Sequence, residues 1–329
     1  MTSDLPKAAL DRAAASRRRF LRHGAMTLGG AALFAASSAQ ADRRGGASDR
    51  ENSPGYIDAH VHVWTNDEHY PAASPAARSR MNPPTAFPED MLKAARPSGV
   101  DRIVLIQPGC YGFDNSYLLA TIRKSPEIFR GVAVVDWHSP NPEVEMRKLK
   151  KHGVRGFRVY PDRLGGSPTF DGDGFQRVFR CAQREQMSIC FLIDPDALPL
   201  IPQICQSFPD APIAIDHLAR IGAQGPIFTD DIQALVALAK YPRVKIKVSA
   251  FYALGVKRPP HDDLAPLIRR VYDAFGPQRM MWASDCPYQL QHETYEDSIG
   301  LIRDRLPFLS AEDKSWILRK SAEASFFSD

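Results

Sequence analysis

Cysteine is scarce in this 329-residue chain, and its pattern excludes two architectures at once. The five cysteines, Cys110, Cys181, Cys190, Cys205 and Cys286, are odd in number and contain no short-spaced pair. Neither a disulfide framework nor a cysteine-based zinc site is suggested, and buried thiols account for most of them. Long apolar runs are also missing. The main stretch, "GAMTLGGAALFAA" near the start, is too short and too glycine-rich for a membrane span, so no stable membrane anchor is expected. Net charge is absent from most of the chain. Residues 1–41 hold six Lys/Arg and two Asp, which equals the whole formal excess of +4, and the remainder has 36 basic and 36 acidic residues. A neutral body excludes a general nucleic-acid or membrane-surface binder. No internal repeat or low-complexity segment appears.

What is present begins with the leader. "SRRRFLR" (Ser16 to Arg22), the soft apolar run and "AQA" (Ala39 to Ala41) follow the charged, apolar and small-residue order of an export signal. The paired arginines before Phe20 and Leu21 are similar to a twin-arginine address read by the export machinery. Residues 1–41 are expected to be a signal peptide cleaved near Ala41, 42–55 a flexible linker and 56–329 the folded domain, acting in the periplasm. That route carries folded proteins, so disulfides need not shape the fold.

Eight strand-like segments follow: 57–63, 102–107, 131–136, 154–160, 188–194, 212–217, 244–249 and 280–285. Most are near-continuous apolar runs, as parallel strands covered by helices require. Helix punctuation separates them. "PNPEVEMRKLKKHG" offers Asn141 as a cap, Pro142 in the first turn and Gly153 past the end; "HDDLAPLIRRVYDAFG" stops at Gly276; "EDMLKAARPSG" ends in Pro97 and Gly99. Eight βα units in this span predict a closed (β/α)₈ TIM barrel. A doubly wound sheet would carry a glycine-rich phosphate turn after its first strand. Here that position holds the long insertion "WTNDEHYPAASPAARSRMNPPTAFP", which reads as a lid or pocket wall.

The first strand, "IDAHVHVW", places His60 and His62 two residues apart, so both imidazoles leave one face about 6–7 Å apart. Burying both is costly without partners. Barrel closure sets the last strand beside the first, with Asp285 at its C-terminal end. His217 ends the sixth strand at the same rim, where barrel enzymes keep their chemistry. Four polar groups from three strands thus converge.

"DAHVHVW", "IDHLAR" and "WASDCPY" resemble the signature segments of the amidohydrolase-related family of metal-site barrel hydrolases and decarboxylases. "IQPGCYGFDNSYLLATI" and "GVRGFRVY" are similar to its lactonase branch, which includes 2-pyrone-4,6-dicarboxylate lactonase and sugar lactonases. The resemblance implies catalytic roles for His60, His62, His217 and Asp285, with His60, His62 and Asp285 as ligands if a divalent ion such as zinc is bound. Family members with a firm metal site carry a further histidine on strand five, or a lysine or acid on strand four. Here those strands offer Ile193 and Asp194, and Arg155 and Arg158. One branch works without a metal, and both versions stay open. In either, Asp285 takes a proton from water. The histidines, or an ion they hold, polarise an ester carbonyl. Without a metal, at least one histidine must be protonated.

Arginine hints at the substrate. Arg158 and Tyr160 share a strand face near the rim, Arg163 follows in the loop, and Arg220 lies three residues past His217. Guanidinium groups grip carboxylates, which points to a small anionic substrate. Gln107 either donates to substrate or ties down its loop. Asp58 and Asp216 are expected to orient imidazoles or cap loops, Asp114 to cap a helix, and Arg155 to pair with helix acids. Trp64 and Tyr111 either wall the pocket or pack. His69, His138, His152, His261 and His292 are expected at the surface. Three functions fit: a hydrolase of a carboxylated lactone, a metal-dependent non-oxidative decarboxylase, and a non-catalytic binding protein on the same barrel.

Overall fold

The computed structural model describes residues 55–164 and 166–328. The expected leader and nearly all of the linker lie outside the described residues. Eight parallel strands run in the order β1 (Tyr56–Val61), β2 (Val100–Ile106), β3 (Phe129–Ala133), β4 (Val154–Val159), β7 (Ser188–Phe191), β8 (Ile213–Ile215), β9 (Val244–Ser249) and β10 (Met280–Ala283). All eight segments expected from the sequence are strands. A small antiparallel hairpin, β5 (Asp162–Leu164) and β6 (Ser167–Thr169), follows β4.

The ring closes between β1 and β10 by a mixed set of bonds. The Asp285 amide donates to the His60 carbonyl at 3.0 Å, and the His62 amide donates to the Cys286 carbonyl at 2.7 Å. Below them the Asp58 carboxylate accepts from the backbone amides of His60 and Ser284, each at 3.0 Å. The pairing of β1 with β2 shifts register between Asp58 and Val61. That bulge explains the parity of the strand. Ile57 and Ala59 line the barrel interior with Val104, Ile106, Cys190 and Ala214, yet His60 and His62 also face inward above them. Asp58 therefore points between the strands and satisfies amides that the bulge leaves over. Burial raises its pKa to about 6.

Helices cover the outside: among them α1 (Pro88–Ala95), α2 (Ser116–Lys124), α3 (Pro142–Lys150), α4 (Asp173–Glu185) and α5 (Ala265–Phe275). Asn141 stands at the N-cap of α3 but makes no side-chain cap bond. Gly99 ends the helical turn after α1 at φ +87°, a backbone state that favours glycine. Phe326, from the C-terminal segment, joins the interior cluster. No helix among the described residues is long and apolar enough to cross a membrane. Of the five thiols, four are buried and Cys110 is half-buried, and all are free.

Candidate active site

β8 ends at Ile215, and the chain then makes a left-handed turn. His217, Leu218, Ala219 and Arg220 all have φ between 53° and 56°, a state that costs an L-residue about 1–2 kcal/mol. Leu218 and Ala219 are fully buried, and this packing opposes the strain. The turn aims His217 and Arg220 into one cavity. Asp285 also sits in the left-handed region, at φ +67°, directly after β10. Strained residues thus gather where side chains must be aimed.

Three imidazoles surround one carboxylate oxygen. Asp285 Oδ1 lies 3.2 Å from His62 Nε2, 3.5 Å from His60 Nε2 and 3.9 Å from His217 Nε2. The partners on the far side of each ring set its tautomer. His62 Nδ1 donates to the Ile106 carbonyl at 2.8 Å. His217 Nδ1 donates to Ser249 Oγ at 2.9 Å, while that hydroxyl donates onward to the Lys247 carbonyl. His60 Nε2 accepts from Arg158 Nη2 at 2.8 Å, because a guanidinium can only donate. The Nε2 atoms of His62 and His217 therefore turn lone pairs toward Asp285 Oδ1, which is buried and has no hydrogen-bond partner, while the His60 lone pair is taken by Arg158. Such a group of acceptors demands a cation, either a proton or a metal ion.

The donor set fits a divalent ion. Tetrahedral zinc with bonds of about 2.0–2.1 Å holds its ligands roughly 3.3 Å apart, close to the separations here. His60, His217 and Asp285 place ligand atoms within 4.8 Å of one another, and His62 stands equally near. His217 thus joins the expected set of His60, His62 and Asp285. Arg158 already occupies the His60 lone pair, so His60 would ligate only by releasing that bond.

Below the imidazoles lies a buried charge network. Asp216 is 3.0 Å from Lys247 Nζ and 3.2 Å from Arg158 Nη2, and all three side chains are buried. Burial alone would raise the Asp216 pKa, but Lys247, His60 and Arg158 hold it well below the usual carboxylate range. Asp285 shows the same balance: burial opposes its charge, and the facing His217, His62 and His60 outweigh it. Burial, reinforced by Lys247, lowers the His60 pKa, and burial lowers that of His217 to about 4. Two ionised carboxylates thus face two cations.

Above this floor opens a cavity of about 590 Å³, walled by Tyr160, Tyr252 and Tyr288 and by cationic Arg158, Arg220 and Lys257, with Asp285 as its acid. Arg220 also pairs with Asp194 at 3.4 Å. Arg158 faces the cavity but is anchored inside it by Asp216 and His60. Gln107 does not line the cavity; its amide donates to the Asp114 carbonyl and ties down the loop, while Asp114 accepts from the Ser116 amide at the start of α2. The side chain of Arg163 lies outside the described residues. Arg155 donates to the Lys150 and Val154 carbonyls, away from this site. The long insertion after β1 forms a wall: Trp64, Arg80 and Met81 line a side chamber of about 350 Å³ that shares Tyr288 with the main cavity. Trp64 Nε1 donates to the Pro83 carbonyl, and Tyr111 packs inside, bonded to the Thr65 amide.

One surface expectation is corrected. His261 is buried, 1% exposed, because its Nε2 pairs with buried Glu293; a loop position does not imply a surface ring when a carboxylate from the next loop meets it. His292 is exposed but stacks on Tyr252 at 5.1 Å and reaches the cavity. Sequence reasoning missed Lys247, Lys257 and Tyr252. Tyr252 donates to Asp285 Oδ2 at 2.7 Å. Lys247 had a signal: a lysine inside an apolar strand needs a buried counter-charge.

Residues 57–327 match the amidohydrolase family. Over 234 residues the chain is 27% identical to a 4-sulfomuconolactone hydrolase of Rhizobium radiobacter, covering 71% of this chain and 76% of that protein. It is 28% identical over 242 residues to an L-fucono-1,5-lactonase of Burkholderia ambifaria, covering 70% and 80%. Among solved structures, a probable 2-pyrone-4,6-dicarboxylic acid hydrolase from Acinetobacter baumannii, with citric acid bound, superimposes with a TM-score of 0.70 at 24% identity, over 83% of this chain and 100% of that one.

Proposed function

The chain belongs to the amidohydrolase family, and from that premise we propose that it hydrolyses the ring ester of a small, anionic, carboxylated lactone. The observation that carries this reading is the unpartnered Asp285 Oδ1, facing three imidazole nitrogens at the base of a cation-walled cavity. Similarity to two lactone hydrolases supports the ester as the bond cleaved.

Asp285 accepts a proton from the attacking water as that water adds to the ring carbonyl. Tyr252, bonded to Oδ2, keeps Oδ1 turned toward the imidazoles. His60, His62 and His217 polarise the carbonyl, sharing a proton in the metal-free form. His62, His217 and Asp285, with His60 when Arg158 releases it, would hold a divalent ion, which would add Lewis acidity to the carbonyl polarisation. Arg220 and Lys257 meet the substrate carboxylate, and Tyr160 and Tyr288 flank the ring. As the tetrahedral intermediate collapses, the ring C–O bond breaks and the leaving alkoxide or enolate takes the proton back.

Asp285→Asn keeps the shape and removes the base. Its turnover on a panel of carboxylated lactones is expected to fall by about 10²–10⁴, and unchanged turnover overturns the reading. Metal analysis of the active enzyme then separates the two versions of carbonyl polarisation.

We further propose that residues 1–41 direct export by the twin-arginine route, that 42–55 link the leader to the barrel, and that the mature protein works in the periplasm. The order of charged, apolar and small residues supports this. Arg17→Lys with Arg18→Lys should leave the full-length precursor in the cytoplasmic fraction; normal processing of that variant would refute it.

A further inference from the structure

A second cavity, of about 780 Å³, opens at the opposite end of the barrel, among the starts of β4, β7, β8 and β9. Ser188 and Ile213 begin their strands there, and Ala324, Ser325 and Ser328 of the C-terminal segment form another wall. Six cationic side chains line it: Lys150, Lys151, Arg155, Arg184, Arg243 and Lys245. Glu185 is the single carboxylate among the lining residues, and Lys150 engages it at 3.0 Å. In a body with equal numbers of acids and bases, this is a strong local imbalance.

Partly buried Lys245 and exposed Arg243 are both satisfied by neutral groups. Lys245 Nζ donates to Ser325 Oγ at 2.7 Å and Arg243 Nε to the Asp210 carbonyl at 3.2 Å. Arg243 also donates to the Gln186 amide oxygen. Burial, with Arg243 adding repulsion, lowers the Lys245 pKa to about 8. These bonds orient the donors without neutralising them. The volume lies within the usual range of small-molecule sites, about 300–1,000 Å³, and the walls mix these cations with Pro212, Ile213 and Pro242.

We propose that this cavity binds a compact multivalent anion, a polyphosphate or polycarboxylate small molecule, at a site separate from the catalytic one. Several guanidinium and ammonium groups around one open, solvent-reached cavity match the oxygens of such a ligand. The proposal does not depend on the reaction at the other rim.

Calorimetric titration of the whole protein with pyrophosphate, with citrate and with acetate tests it. Pyrophosphate or citrate should bind at least about tenfold more tightly than acetate, since each extra charge-assisted bond adds affinity. The better of the two identifies the oxyanion. Arg243→Gln with Lys245→Gln should weaken binding at least about tenfold. The exposed pair Lys151→Gln and Arg184→Gln, which removes no buried contact, should weaken it several-fold, roughly. Arg220→Gln, in the catalytic cavity, should leave the affinity within about twofold. Binding abolished by Arg220→Gln but retained in both lower variants places the anion in the catalytic cavity and overturns the proposal. So does acetate binding as tightly as pyrophosphate, or no binding of either multivalent probe.

Discussion

Lys245 and Lys247 stand two residues apart on β9 and leave the same face of the strand, yet they meet opposite surroundings. Lys247 is fully buried, 3.0 Å from Asp216, over the ring of Phe326. Lys245, one step toward the lower end, meets Ser325 and the basic cavity. The two ends of the barrel handle charge accordingly. Where water is excluded, each cation has a carboxylate, because an unpaired buried charge is strongly destabilising. At the lower end the imbalance persists because solvent and mobile ions reach it.

The sharpest way to break this contrast is to remove the shared counter-ion. Asp216→Ala leaves Lys247 and Arg158 buried without their carboxylate, and a loss of about 3–5 kcal/mol is expected. Urea denaturation measures it. Lys245→Met removes a cation that has no carboxylate beside it and should leave stability unchanged or raised. Comparable losses from the two substitutions would erase the distinction.

Acid should act on the upper end next. The His217 pKa is lowered from 6.5 to about 4, so on acidification the unfolded chain takes up this proton before the folded one. Stability from this group is complete above pH 6.5 and falls as the pH drops toward 4, by about 3 kcal/mol at most. Asp58 works in the other direction. Its raised pKa makes the folded chain bind a proton first between about pH 6 and 3.8, which stabilises the fold there. Comparing His217→Gln with the parent chain isolates the histidine. Their stability difference should change by about 3 kcal/mol between pH 7 and pH 4, and a constant difference would count against a neutral buried His217.

The barrel was legible because its signal repeats. Eight apolar runs with helix punctuation between them allow few other folds, and closure followed from parallel order alone. His60, His62, His217 and Asp285 were legible for a related reason: each lies at the C-terminal end of a strand, so topology sends them to one rim. What remained hidden depends on three-dimensional neighbours. Arg158 looked like a substrate clamp, and its bonds to Asp216 and His60 show only when β4 and β8 are set side by side. The bulge that turns His60 inward beside Ala59 has no local sequence mark. His261 sits in a proline-rich loop and becomes a core residue only because Glu293 approaches from the next one.

Tyr252 tests the catalytic rim more finely. Tyr252→Phe removes one hydrogen bond to Asp285 Oδ2 and little volume. The expected loss in kcat is about tenfold, or roughly 1.4 kcal/mol, as for one charge-assisted bond. KM should move less, since the hydroxyl acts through Asp285. A change confined to KM would mean that Tyr252 grips substrate instead of orienting the base.

Salt should give the smallest effect and report on the lower end. Raising ionic strength from about 0.05 to 0.5 M shortens the screening length from roughly 14 to 4 Å. Repulsion among Lys151, Arg184, Arg243 and Lys245 is then screened, while the buried pairs around Asp216 are shielded from the added ions. Stability should rise by less than about 1 kcal/mol, the scale of exposed charge interactions. Lys151→Gln with Arg184→Gln should reduce that rise, having already relieved part of the repulsion. A gain specific to phosphate or sulfate, absent with chloride at equal ionic strength, would mean occupancy of the cavity, because screening depends on ionic strength whereas binding depends on the shape and charge of the anion.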